Sequence, residues 1–148
     1  MGNSFRCLRY HLVFSTKNRA PQINPEIQPR LYDYMGGIFK KENGQLVAAG
    51  GTADHVHLLA SIHPSVSVAD MLRKVKTNSS KWIHETFPQH KEFAWQEGYG
   101  GFSVSQSNVE QVRRYIEQQE EHHRRVTFEE EFVEFLERHG IPYDQRYL

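Results

Sequence analysis

The sequence predicts an α+β domain of the ferredoxin-like, split βαβ type. It has an antiparallel sheet, helices on one face, and extra helices at the C-terminal end. Three observations predict it. Residues 6–16, "RCLRYHLVFST", alternate, with Leu8, Tyr10, Leu12 and Phe14 on one side and Arg9, His11, Val13 and Ser15 on the other. Two later stretches carry apolar residues at helical spacing, and a glycine-rich hairpin separates them. The elements then run strand, helix, strand, strand, helix, strand, helices.

Each element follows from local chemistry. After the first strand, "KNRAPQINP" reads as a loop broken by Pro21 and Pro25. Residues 26–43 read as a helix on Ile27, Leu31, Tyr34, Met35, Ile38 and Phe39, and Asn43-Gly44 makes the next turn. "QLVAAGG" and "HVHLLASIH" are strands joined by a turn containing Gly50, Gly51 and Asp54. Residues 67–87 form a second helix, capped by Ser67 with Asp70 three residues on. "FAWQEGYGGFSVS" is a strand pair or a bent strand. Residues 107–125 form one helix, and a last helix runs from Thr127 to Gly140 with Phe128, Phe132, Phe135 and Leu136 on one side, which packs on the domain or on a partner.

The chain's 148 residues suit one domain over 1–148, with a C-terminal helical extension at about 127–148. Hydrophobic content of 38% and charged content of 24% are those of a globular protein. No apolar run approaches the ~20 residues of a membrane span, so no membrane partner is expected. The first residues lack the features of a signal peptide, and a cytoplasmic location is expected. The single cysteine, Cys7, excludes an internal disulfide and a cysteine-based zinc cluster. Net charge is zero but uneven: residues 108–148 hold ten acids against six Lys and Arg, while residues 1–25 carry Arg6, Arg9, Lys17 and Arg19 and no acid.

The strand "HVHLLASIH" puts His55, His57 and Leu59 on one face and Val56, Leu58, Ala60 and Ile62 on the other. The wholly apolar face must meet the helices, so the histidines are expected on the open face, available to a ligand. Two imidazoles two residues apart can converge on one cation, given a further ligand. Two solvated histidines on a wet face are the other reading. The helix "VRRYIEQQEEHHRR" offers the missing parts. Tyr115 and Gln119 are one turn apart, at the edge of a stripe of Val109, Val112 and Ile116. His55, His57 and the Gln119 carboxamide oxygen would hold Mg²⁺ or Mn²⁺, and the Tyr115 phenol would be the nucleophile. Tyr115 as a packing residue at a helix–sheet seam is the bland alternative. His122 and His123 read as solvent-facing or phosphate-contacting.

"YHLVFSTKNR" (10–19), "DHVHLLASI" (54–62), "MLRKVKTNSSKWI" (71–83), "FAWQEGYGGFSVS" (93–105) and "YIEQQ" (115–119) together resemble the small HUH-type single-tyrosine transposases of bacterial insertion sequences, the TnpA type. The resemblance spans nearly the whole chain. It implies that His55, His57 and Gln119 are metal ligands and that Tyr115 attacks a single-stranded DNA phosphodiester. The expected products are a 5′-phosphotyrosine link and a free 3′-OH. It also implies a homodimer acting on single-stranded DNA hairpins at transposon ends. Arg73, Lys74, Lys76, Lys81, Lys17 and Arg19 are candidate DNA contacts, and Trp95, Tyr99 and Phe102 candidate stacking platforms. The alternatives are a non-catalytic ferredoxin-like nucleic-acid-binding module, or a domesticated tyrosine nuclease of the same family.

Overall fold

A computed structural model describes residues 4–148. Four strands, β1 (Arg9–Ser15), β2 (Gln45–Gly51), β3 (His55–Ser61) and β4 (Gly100–Val104), form one antiparallel sheet in the order β2-β3-β1-β4. Helix α1 (Ile27–Lys41) joins β1 to β2, and α2 (Val68–Thr86) joins β3 to β4. This is the split βαβ arrangement, with the two central strands β1 and β3 paired. Only Gly100–Val104 of the segment 93–105 is strand; Trp95 adds an isolated bridge to Thr16.

The register settles which residues share a face. Val13 pairs with His57 and Ser15 with His55. Leu12, Phe14, Val56, Leu58 and Ala60 therefore point to the side where α1 and α2 pack, burying Leu31, Met35, Phe39, Met71, Leu72, Val75 and Ile83 against them. Leu12, Val56 and Leu58 are fully buried. Helix α2 starts where its cap dictates: the Asp70 N–H donates to Ser67 Oγ at 3.0 Å.

The opposite face is not open. Helix α3 (Val109–Glu117) lies across β2 and β3, α4 (Gln119–His122) continues from it, and α5 (Phe128–Arg138) packs over β1 and β4. Both contacts are cut to fit by glycine. A Cβ on Gly50 would collide with the backbone carbonyl of Ile116, and one on Gly100 would strike the ring of Phe132. The helices follow the sheet in sequence, so strand alternation cannot reveal that they fold back over the histidine face. The expected single helix over 107–125 is broken at Gln118, whose backbone (φ −106°, ψ 22°) leaves the helical region. Thr127 caps α5 in a full capping box with Glu130, as its sequence demands.

Candidate active site

His55 and His57 both project from β3 into the layer beneath α3–α5, and both are fully buried. Each is held from behind. His55 Nδ1 donates to Asp54 Oδ1 at 2.8 Å, and Thr52 Oγ1 donates to the same carboxylate oxygen at 2.9 Å. Partial burial pushes the Asp54 carboxyl up, but these two hydrogen bonds outweigh it and hold it below the ordinary aspartate value. His57 Nδ1 lies 2.7 Å from His11 Nε2 of β1. The Nε2 atoms of the pair are thus turned towards the centre of the layer.

Four further side chains meet them there. Gln119, the first residue of α4, puts Oε1 3.1 Å from His55 Nε2. His123, one turn later, puts Nε2 3.0 Å from the same Gln119 oxygen, while its Nδ1 lies 2.6 Å from the Val126 carbonyl. Glu131 of α5 puts Oε1 2.8 Å from His57 Nε2 and 3.1 Å from His123 Nε2. Its other oxygen accepts a very short hydrogen bond from the Tyr115 hydroxyl and a 3.2 Å bond from Gln119 Nε2. His55, His57, His123 and Glu131 present ligand atoms all within 4.8 Å of one another, a grouping that can hold a metal ion.

The electrostatics follow from burial. Desolvation lowers His11 to about 3 and His57 to about 4, so both imidazoles are neutral at neutral pH. Burial alone would raise the Glu131 carboxyl, but hydrogen bonds from His57 and Tyr115 hold it well below the ordinary glutamate value. It is a carboxylate gripped by neutral donors. Burial, the bond to Glu131 and the charge of Glu131 push the Tyr115 phenol up, which keeps its proton in place. A cavity of about 490 Å³ opens beside Tyr115 between β4, α3 and α5, with Asn108, Gln111, His122, Arg138 and His139 on its walls.

The four residues singled out in the sequence, His55, His57, Tyr115 and Gln119, are thus brought together within one chain; the Tyr115 and His57 ring centres are 5.8 Å apart. The candidate DNA-contacting cations are not brought to the same place. Arg73, Lys74, Lys76 and Lys81 belong to α2, on the far side of the sheet. Lys76 Nζ donates to the carbonyls of Gln96 and Gly98 at 2.6 and 2.7 Å, and Lys74 pairs with Glu42 at 3.2 Å. Lys17 and Arg19 follow β1, and Arg19 approaches Glu129 of α5 at 3.7 Å. Among the aromatics, Phe102 packs against Phe135, and Trp95 packs between Phe14 and Phe93, while Tyr99 is exposed.

The sequence reading left four residues out of the centre. His123 faces the centre rather than solvent, and His122 Nε2 lies 3.1 Å from Glu131 Oε2. The i, i+4 spacing of Gln119 and His123 was the available signal. Glu131 sits inside the Phe128, Phe132, Phe135 stripe, and an acid on an apolar stripe is itself the clue. His11 shares the alternation face of Val13, the residue that pairs with His57.

Comparison with known proteins agrees with this architecture. Residues 4–119 match the family model described as "Transposase IS200 like". The chain is 29% identical over 117 residues to the ISDra2 transposase TnpA of Deinococcus radiodurans, an alignment covering 76% of this chain and 84% of that protein. It is 28% identical over 117 residues to the transposase for insertion sequence element IS200 of Salmonella typhimurium, covering 75% and 76%. A crystal structure from Deinococcus radiodurans, described as that of a transposase, superposes with a TM-score of 0.65 at 28% identity, covering 80% of this chain and 96% of that one. A tyrosine transposase bound to a REP hairpin shares the fold, with a TM-score of 0.55 at 14% identity over 78% of this chain and 70% of that one. Matched over most of its length, the chain belongs to the IS200-like transposase family.

Proposed function

We propose that this transposase is a divalent-metal-dependent, tyrosine-based endonuclease and strand transferase for single-stranded DNA. The observation that carries the reading is the convergence of Tyr115, His55, His57 and Gln119 in one buried layer, next to a cavity large enough to admit a phosphodiester. Outer partners support His55 and His57 as metal ligands. With Nδ1 held by Asp54 or facing His11, each ring aims Nε2 inward, the arrangement usual for ligating histidines. His55, His57 and Gln119 would hold Mg²⁺ or Mn²⁺. The cation would neutralise the scissile phosphate and polarise its oxygen.

The chain's own residues supply the rest. The Tyr115 proton stays on the resting phenol; as the oxygen bonds to phosphorus the phenol becomes acidic, and the proton passes along the existing hydrogen bond to Glu131 Oε2. The bond from phosphorus to the 3′ oxygen breaks, and that oxygen takes a proton from solvent. The products are a 5′-phosphotyrosine link and a free 3′-OH. A second 3′-OH then reverses the step on a new strand. Asn108, Gln111, Arg138 and His139 would line the strand's path to Tyr115. Lys17 and Arg19, which follow β1, would contact flanking phosphates, with two copies of the chain acting on hairpins at element ends.

The test uses hairpin-bearing single-stranded oligonucleotides with Mn²⁺ and denaturing gel electrophoresis. A protein–DNA adduct that survives denaturant and vanishes in Tyr115→Phe is expected. Cleavage that persists in Tyr115→Phe without an adduct would instead mean that bound water is the nucleophile.

A further inference from the structure

The metal-dependent reading needs three ligands from the family-matching segment, yet the layer holds more donors than that. The Val126 carbonyl can only accept, so His123 Nδ1 carries the hydrogen and a neutral His123 has a bare Nε2. The Asp54 carboxylate imposes the same tautomer on His55. The Gln119 amide nitrogen donates to Glu131 Oε2, which turns the amide oxygen to the other side. In their neutral forms, the forms that bind metal, His55 Nε2 and His123 Nε2 therefore offer lone pairs beside Gln119 Oε1 at 3.1 and 3.0 Å, with Glu131 Oε1 3.1 Å from His123 and 3.8 Å from His55. Acceptors converge in this way on a cation.

The spacing fits one. Neighbouring donors around an octahedral ion with bonds of ~2.1 Å lie about 3.0 Å apart. The contacts of 2.8, 3.0, 3.1 and 3.1 Å among these atoms match that edge length, and the 3.8 Å contact needs a small inward shift. His57 joins once its hydrogen moves to Nδ1, where His11 Nε2 stands 2.7 Å away to accept it.

Resting on the metal-dependent reading above, we propose that the centre is a five-donor site. His123 and Glu131 complete it alongside His55, His57 and Gln119, and its three imidazoles select Mn²⁺ and later divalent metals over Mg²⁺. Mg²⁺ prefers oxygen ligands and keeps its waters, whereas imidazole suits the transition metals. Helix α5 is then part of the metal centre rather than an ornament on the fold. The single Glu131 carboxylate serves the cation with one oxygen and Tyr115 with the other.

Isothermal titration of the full, chelator-stripped chain with MnCl₂, CoCl₂ and MgCl₂ tests this, together with the visible spectrum of the Co²⁺ complex. One equivalent of Mn²⁺ should bind, and millimolar Mg²⁺ should not displace it. Glu131→Gln and His123→Ala should each weaken Mn²⁺ binding by at least ~10-fold and change the Co²⁺ bands. Circular dichroism identifies a variant that has failed to fold, in which case the other decides. Unchanged Mn²⁺ affinity in a folded Glu131→Gln or His123→Ala, with binding lost in His55→Ala, would overturn the five-donor site and leave the three-ligand reading standing. Equal affinity for Mg²⁺ and Mn²⁺ would overturn the selectivity. No binding of any metal by the unaltered chain would overturn both readings.

Discussion

The two faces of the sheet are built on opposite principles. Towards α1 and α2, β3 presents Val56, Leu58 and Ala60 to an apolar layer. Towards α3–α5 the same strand presents His55 and His57, equally buried, to a layer of imidazole, carboxylate, carboxamide and phenol. The first layer is held by non-directional burial of side chains that carry no titratable group, so it does not respond to pH. The second is held by directional bonds between groups whose proton content depends on their surroundings. One strand thus separates an apolar layer that provides stability from the polar layer that holds His55, His57 and Tyr115.

The largest way to break that contrast is Leu58→Ala. Truncating a fully buried leucine should cost about 2–5 kcal/mol in urea unfolding, with or without added metal. Gly50→Ala acts on the other face. Its new methyl meets the Ile116 carbonyl, so the cost should be about 1–3 kcal/mol, with DNA cleavage reduced because α3 carries Tyr115 away from the histidines. A near-neutral Gly50→Ala with full activity would mean that α3 is not seated as described.

The polar layer should also respond to pH where the apolar one does not. His11 and His57 stay neutral in the fold down to about 3 and about 4, whereas unfolded histidine titrates near 6.5. Between those values the unfolded chain binds more protons, so stability of the metal-free protein falls as pH drops from about 6.5 towards 4. Glu131, whose carboxyl is held low, adds to the loss in acid. Urea melts at pH 7 and pH 5 should differ by on the order of 1 kcal/mol or more. A flat profile would place these histidines in a wetter setting. The smallest test compares two caps. Ser67→Ala and Thr127→Ala remove equivalent bonds worth about 1 kcal/mol. The first should lower global stability, and the second should speed hydrogen exchange in α5 alone.

The apolar face was legible in the sequence because alternation on β1 and β3 and helical spacing on α1 and α2 are local signals. His55 and His57 were legible for the same reason, placed by the period of β3, whereas Tyr115 and Gln119 were paired by a one-turn spacing that the structure divides between α3 and α4, both still reaching the layer. The lid over them was not. Docking of α3 and α5 depends on the notches at Gly50 and Gly100, which carry no pattern until the helices are in place. Glu131 was hidden among three consecutive acids, of which only one falls on the phenylalanine stripe. The break at Gln118 followed from no proline or glycine.

The family match ends at Gln119, on the first residue of α4, and 29 residues follow it, from 120 to 148. Those residues supply His122, His123 and Glu131 to the layer around Tyr115. The stretch that carries the family match and the polar layer around Tyr115 therefore have different borders. A relative recognised by the shared core can differ from this chain around Tyr115, and grafting one member's tail onto another's core would exchange the surroundings of that tyrosine while leaving every motif used to recognise the family untouched.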